Sequence, residues 1–374
     1  MPAAAEAQQC KRCHAQTSAH ILRSTPHCVG CYDHYIRSKC VKRMESYKIK
    51  SENPPITLLL ALSFGASSTT LLHLLDSQIR AQKHRIRYRL KILHVDERIL
   101  DPSLPASESL EEVKRRFPQT GGYLSARLED VYDFAAEETG LERDGEDGGG
   151  KEEKLKTLLQ RLPSPTSRED LAAVLRTRLI VALARREGCS GILWGDTTTR
   201  LADKVLASAA KGRGAQLPFE IGDGPGPFGI TYYRPLRDVF KKELVTYISE
   251  IVTPPLLPLC VGFSSTPKHS AAAATSGKNI TVGELMTQYF ESMEAQYPST
   301  VSNVVRMGDR LKLPGRGEEE DSCAMCGLLM DKGGNGLTLG AQEVVEGGER
   351  RKVCYGCMRA THGASAELSW PVLS

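Results

Sequence analysis

The sequence predicts an α/β fold, a mostly parallel sheet with helices on both faces, flanked by a cysteine-rich module at each end. Three observations carry this expectation. The first is the run Ile56 to Leu62, apolar but for Thr57 and typical of a strand buried on both faces of a parallel sheet. The second is the alternation downstream of short apolar segments with amphipathic ones at helical spacing. The third is a set of Cys-x-x-Cys pairs, two before residue 50 and two after residue 320. Composition agrees: with 40% hydrophobic and 25% charged residues, the chain of 374 residues is globular rather than disordered, with room for two or three folded units.

In chain order, residues 1–50 are expected to form a basic, cysteine-rich module. Residues 51–313 form the α/β domain, with low-complexity insertions near 142–153 and 262–278, and residues 314–374 form the second cysteine module. The linkers are read from composition: Glu142 to Glu153 is acidic and glycine-rich, Gly262 to Lys278 is rich in Ser, Ala and Thr, and Pro314 to Ser322 is the third. After the strand at Ile56 comes the loop Ser63-Phe64-Gly65-Ala66-Ser67-Ser68, then Leu71, Leu72, Leu74, Leu75 and Ile79 at helical spacing. A second strand is expected at Tyr88 to Val95, with Arg85, Arg87 and Arg89 on one face at its entrance. A long helix at Arg168 to Arg186 leads into a strand at Gly191 to Trp194 and a further loop and helix at Gly195 to Ala210. A last strand and helix span Tyr232 to Ile251.

Cysteine spacing carries the strongest chemical signal. Cys10, Cys13, Cys28 and Cys31 form two knuckles 14 residues apart; Cys323, Cys326, Cys354 and Cys357 form two more, 27 residues apart. Each set can converge on one tetrahedral zinc, and structural zinc is the favoured reading over unpaired buried cysteines or redox pairs. His14, His20, His27 and His34 lie nearby but are surplus to a four-thiolate shell. Nine basic residues between Cys10 and Lys50 stand against Asp33 and Glu45. Lys11, Arg12, Arg37, Lys39, Lys42 and Arg43, with Arg85, Arg87 and Arg89, are candidate RNA contacts, and Tyr32, Tyr35 and Tyr47 are candidates to stack on bases. The competing reading is a solvated surface. A net charge of +4 excludes a polybasic chain as a whole. No apolar run approaches the ~20 residues that cross a bilayer, so no membrane role is expected. Met1 to Gln9 lacks the pattern of a secretion signal, which leaves a cytosolic or nuclear address.

The loop Ser63 to Ser68 sits where a helix N-terminus can seat a pyrophosphate. It resembles the SGGxDS loop of the PP-loop ATP pyrophosphatases, whose fold is adenine nucleotide alpha hydrolase-like. Gly195-Asp196-Thr197-Thr198-Thr199-Arg200-Leu201-Ala202-Asp203-Lys204-Val205-Leu206 is similar to that superfamily's GHNADDxAETVL segment. With cysteine blocks on both sides, the chain most resembles the cytoplasmic tRNA 2-thiolation protein 2 family. That resemblance implies a non-catalytic subunit in a heterodimeric cytosolic tRNA thiolase, required for 2-thiolation of wobble uridine. It also implies a catalytic partner subunit, tRNA, and a thiocarboxylated ubiquitin-like protein as sulfur donor. Departures from the catalytic pattern support the non-catalytic role. Phe64 stands for a glycine, Ser67 for the aspartate, and Thr199 and Arg200 for two adjacent carboxylates, which reverses the local charge. Pro163-Ser164-Pro165-Thr166-Ser167-Arg168 carries no thiol where the catalytic family has Cys-x-x-Cys, and Cys260 reads as a lone buried cysteine. ATP is therefore a doubtful ligand of the degenerate loop Ser63, Gly65, Ser67 and Ser68. The alternatives are an active PP-loop sulfurtransferase, using Ser63, Gly65 and Ser68 for ATP and Cys260 for sulfur, and a zinc-ribbon adaptor that binds only proteins.

Overall fold

The computed structural model describes residues 8–49, 54–81, 87–118, 120–134, 150–260, 280–311, 321–330, 342–346, 349–364 and 370–371. The chain enters through a short hairpin, β1 (His20–Leu22) and β2 (Thr25–His27), followed by an 18-residue helix, α1 (Val29–Ser46). Tyr32, Ile36, Cys40 and Met44, four apart, are buried along one face of α1. Then come β3 (Ile56–Ala61), α2 (Ala66–Ala81), β4 (Tyr88–Asp96), α3 (Ser109–Arg116) and β5 (Gly122–Arg127). Helix α4 (Lys151–Arg161) leads to α5 (Pro165–Arg186), whose Ser164 cap accepts a bond from Ser167 N and whose first position is the proline favoured there. Next are β6 (Gly191–Leu193), α6 (Thr198–Ala210), α7 (Leu217–Ile221), β7 (Gly224–Pro225), β8 (Thr231–Tyr233) and α8 (Lys241–Thr246), which continues as a π-helical turn to Ile251.

The six-stranded sheet has the order β5-β4-β3-β6-β8-β7, and every neighbouring pair is parallel except β7 with β8. Strand pleating sends successive residues to opposite faces. Leu58 and Leu60 of β3 join Leu71, Leu72 and Leu75 of α2 and Tyr32 and Ile36 of α1 in one apolar cluster. Leu59 joins Leu171, Leu175 and Leu179 of α5 in another. The latter also contains Cys323, Cys326, Cys354 and Cys357, so the two cysteine blocks meet opposite faces of the sheet.

Helices α9 (Val282–Gln296) and α10 (Pro298–Gly308) pack on α6 through Phe290, Val301, Val305 and Leu201. The C-terminal block holds β9 (Asp321–Ser322), β10 (Leu329–Met330), β11 (Gln342–Glu346), β12 (Glu349–Val353) and α11 (Tyr355–Thr361). The expected linker 142–153 is shorter than composition indicates, because Lys151 already opens α4 and its amine holds Asp133 at 2.7 Å. The boundaries at 50/51 and 313/314, the whole of the 262–278 insertion, residues 314–320 of the third linker, and Arg85 lie outside the described residues. No helix among the described residues is long and apolar enough to cross a membrane.

Asp223 ties α1 to the sheet edge. It accepts bonds from Arg43 Nε at 3.1 Å, Tyr47 Oη at 3.3 Å, the Arg234 backbone N–H at 2.7 Å and Arg237 Nη1 at 3.3 Å. Asp223→Ala removes the carboxylate partner of Arg43 and one of the two that Arg237 holds, the other being Asp309, and we expect it to cost about 3 kcal/mol in urea unfolding. A loss below about 1 kcal/mol, the size of an exposed pair, would show that the hub is not structural.

Candidate functional site

Strand order reverses between β3 and β6, and in open α/β sheets such a switch point opens a crevice at the strands' carboxyl ends. A cavity of about 770 Å³ lies there, lined among others by Ser63, Gly65, Ser67, Ser68, Gly195 and Asp196. Both resemblance motifs therefore reach one cavity. Phe64 has φ +55°, the left-handed backbone that the loop demands. Its ring, 1% exposed, turns into the core and meets the His94 ring edge-on at 4.6 Å. Phe64 in place of a glycine therefore puts no bulky group into the cavity: the backbone takes the glycine-like turn and the side chain points away. The loop's hydroxyls are turned on each other, with Ser63 Oγ 3.2 Å from Ser68 Oγ, which donates to Gly65 O at 3.1 Å. Gly195 presses against this loop so closely that a Cβ would stand 2.9 Å from Ser68 N and Cα.

The second motif is bound up in buried charge pairs. Asp196 accepts from Lys204 Nζ at 2.7 Å and Arg234 Nε at 3.2 Å. Burial works to raise its pKa, but Lys204 and Arg234 outweigh it and hold the carboxyl below the ordinary aspartate range. Thr199 donates to Glu294 Oε2 at 2.6 Å and accepts from the Lys241 backbone at 3.1 Å, while burial pushes Glu294 upward. Arg200 pairs with Asp203, which also accepts from Thr287 at 2.8 Å. The expected charge reversal at Arg200 is therefore balanced within the motif. Cys260 is buried in the α1–α2 cluster, its thiol donating to Leu256 O at 3.6 Å and pushed up by burial. The cavity's wall contains neither Cys260 nor any described cysteine outside the C-terminal cluster.

The four sulfurs of each cysteine set lie within 4.8 Å of one another. The separations Cys13 to Cys28, 3.8 Å, and Cys326 to Cys354, 3.6 Å, match the roughly 3.8 Å edge of a tetrahedron with metal–sulfur bonds near 2.3 Å. Cys28 and Cys354 are the N-caps of α1 and α11. Cys10 is lowered to about 5, chiefly by the Cys13 backbone N–H, and Cys323 is lowered chiefly by Cys326. These residues fit a divalent ion that binds thiolates. The histidines go elsewhere: His20 pairs with Glu250 at 3.0 Å and His27 bonds Thr25 O at 3.0 Å.

The basic block divides. Lys11, Arg12, Lys42, Arg87 and Arg89 are exposed. Arg37 is paired with Asp33 at 2.7 Å, Lys39 lies 5.7 Å over the Tyr35 ring, and Arg43 belongs to the Asp223 hub. Base stacking by Tyr32 and Tyr47 is overturned: Tyr32 is fully buried and donates to Glu243 O at 3.0 Å, and Tyr47 lies against Tyr233. The i, i+4 spacing of Tyr32 with Ile36 was the available signal for a buried helix face. Sequence reasoning missed Arg234 and Glu294, partners of the second motif, because nothing local marks contacts 38 and 95 residues apart.

A family model described as cytoplasmic tRNA 2-thiolation protein 2 matches residues 281–342. Proteins of that name from Pyrenophora tritici-repentis and Phaeosphaeria nodorum are 37% and 38% identical, with 97% and 95% of each chain covered. Among solved structures, the U34-tRNA thiolase NcsA from Methanococcus maripaludis, with its 4Fe-4S cluster, matches at a TM-score of 0.57 and 15% identity. That match covers 96% of this chain and 98% of the other, and it shows a shared PP-loop α/β fold.

Asp196→Ala strips Lys204 and Arg234 of their counter-charge, and we expect a loss of about 3–5 kcal/mol in denaturant unfolding. Because the Asp196 carboxyl is depressed, its contribution is present above the ordinary aspartate range and disappears as pH falls through its folded value. Asp196→Asn should therefore flatten the acid limb of the stability curve; an unchanged limb would exclude Asp196 as its source.

Proposed function

The chain belongs to the cytoplasmic tRNA 2-thiolation protein 2 family, and on that premise we propose that it is the non-catalytic subunit of a heterodimeric thiolase acting on wobble uridine of cytoplasmic tRNA. The observation that carries this reading is the pairing-off of the second motif. Asp196 is neutralised by Lys204 and Arg234, and Asp203 by Arg200. A magnesium nucleotide needs carboxylates free to approach its hydrated ion, and these two are engaged by cations. Sulfur transfer needs a thiol at the reacting atom, and the one described thiol at the cavity, Cys326, belongs to a metal-ligating set. Adenylation of the uridine carbonyl oxygen and its displacement by sulfur then belong to the partner subunit, which is served by a thiocarboxylated ubiquitin-like donor.

The role left to this chain is architectural: to stabilise the partner and to present Lys11, Arg12, Lys42, Arg87 and Arg89 to tRNA phosphates, with zinc filling both cysteine sets. The deciding experiment is a thiolation assay on tRNA with ATP and a sulfur donor. The catalytic subunit with this chain should form 2-thiouridine, and this chain alone should form none; product from the isolated chain would overturn the reading. Replacing Lys11, Arg12 and Lys42 with Glu should weaken tRNA retention by the complex and shallow its salt dependence, while an unchanged salt slope would remove the N-terminal block from the tRNA interface. Elemental analysis should find two zinc ions per chain; a content well below two would reject the metal assignment.

A further inference from the structure

The two cysteine clusters have different surroundings. In the C-terminal one, Arg213 Nη1 lies 3.3 Å from Cys357 Sγ, Gln216 Nε2 lies 2.8 Å from Cys326 Sγ, and the Cys354 backbone N–H lies 3.3 Å from Cys323 Sγ. Three of the four sulfurs thus receive a hydrogen bond. Arg213 is 3% exposed, and its Nε donates to Asp170 Oδ2 at 2.6 Å, which fixes the direction of the guanidinium. Lys211 holds the other Asp170 oxygen at 3.1 Å. Arg178, 4% exposed, donates to Ala324 O and Met325 O, both at 2.8 Å, and so grips the knuckle's backbone. All these side chains come from the α/β domain: Arg178 and Asp170 from α5, Arg213 and Gln216 from the segment between α6 and α7. In the N-terminal cluster Cys13 is exposed and Cys31 half-buried; backbone N–H groups reach its sulfurs, as that of Cys13 reaches Cys10, but among the described residues no side chain from outside the cluster donates to them.

A divalent ion with four thiolates carries two net negative charges, which are costly to bury uncompensated. A guanidinium keeps its charge at any working pH and can aim several donors at once. Outer partners of this kind orient ligands and tune metal affinity. We propose that Arg213 and Gln216 are positioning residues for the C-terminal metal site, and that they make its ion slow to exchange while the ion of the N-terminal site exchanges freely.

The test is zinc release from the full-length chain to a chromogenic chelator, after metal content has been measured. Wild type should release its zinc in two phases. Cys13→Ser should remove the fast phase alone. Arg213→Gln should accelerate the slow phase by about 10–100-fold, the usual cost in affinity of losing such a partner, and leave the fast phase unchanged. In cobalt-substituted protein the same variant should shift the thiolate-to-metal charge-transfer band. Should Arg213→Gln fail to fold, Gln216→Met removes a single donor and should accelerate the same phase by a smaller factor. Two ions per chain released in one phase, or a slow phase indifferent to the substitution in folded protein, would overturn this proposal alone. Fewer than two ions would overturn the zinc assignment with it.

Discussion

The structure depends on keeping both faces of one strand dry. β3 is apolar apart from Thr57, and pleating divides its leucines between two clusters, so helices on one side alone would leave half of it in water. α1 and α2 cover one face; α5, with the C-terminal cysteine block beyond it, covers the other. The metal-binding ends are thus built into the core, each supplying apolar surface to a different side of the sheet.

The same economy governs the cavity. The crevice at the strand switch point is open, and Phe64 adopts the left-handed backbone of the turn beside it. Its polar lining is occupied differently. Lys204 and Arg234 close on Asp196, Arg200 closes on Asp203, and Thr199 is held by Glu294. A site whose charges satisfy one another is stable without a ligand, whereas a catalytic site holds groups unsatisfied until its substrate arrives. The fold is shared with the thiolase NcsA, and the charged groups along this crevice are paired with one another.

Much of this was legible in the sequence because the signals are local. The apolar run at Ile56, the helical stripe from Leu171 to Leu183 and the cysteine spacings report strand, helix and metal knuckle within a few residues of themselves. What could not be read is long-range. Arg213 stands in Lys211-Gly212-Arg213-Gly214, which has no periodicity, and its sulfur partner is 144 residues away. Basic residues in the first block read alike along the chain, yet Arg43 is anchored at Asp223 while Lys42 is solvated, a difference set by which face of α1 each occupies. The tyrosines misled for the same reason: an aromatic ring among cations is compatible with base stacking and with helix packing, and only the partner across the interface decides.

The grip of Arg178 on Ala324 joins positions 146 residues apart. During translation, α5 leaves the ribosome long before the knuckle that packs on it, and the face that meets the knuckle waits for its cover. Messages truncated upstream of those cysteines would yield a polypeptide with an uncovered greasy flank, the kind of surface that chaperones and proteases survey. The last knuckle of the chain is thereby the piece that closes a core begun at its fifty-ninth residue.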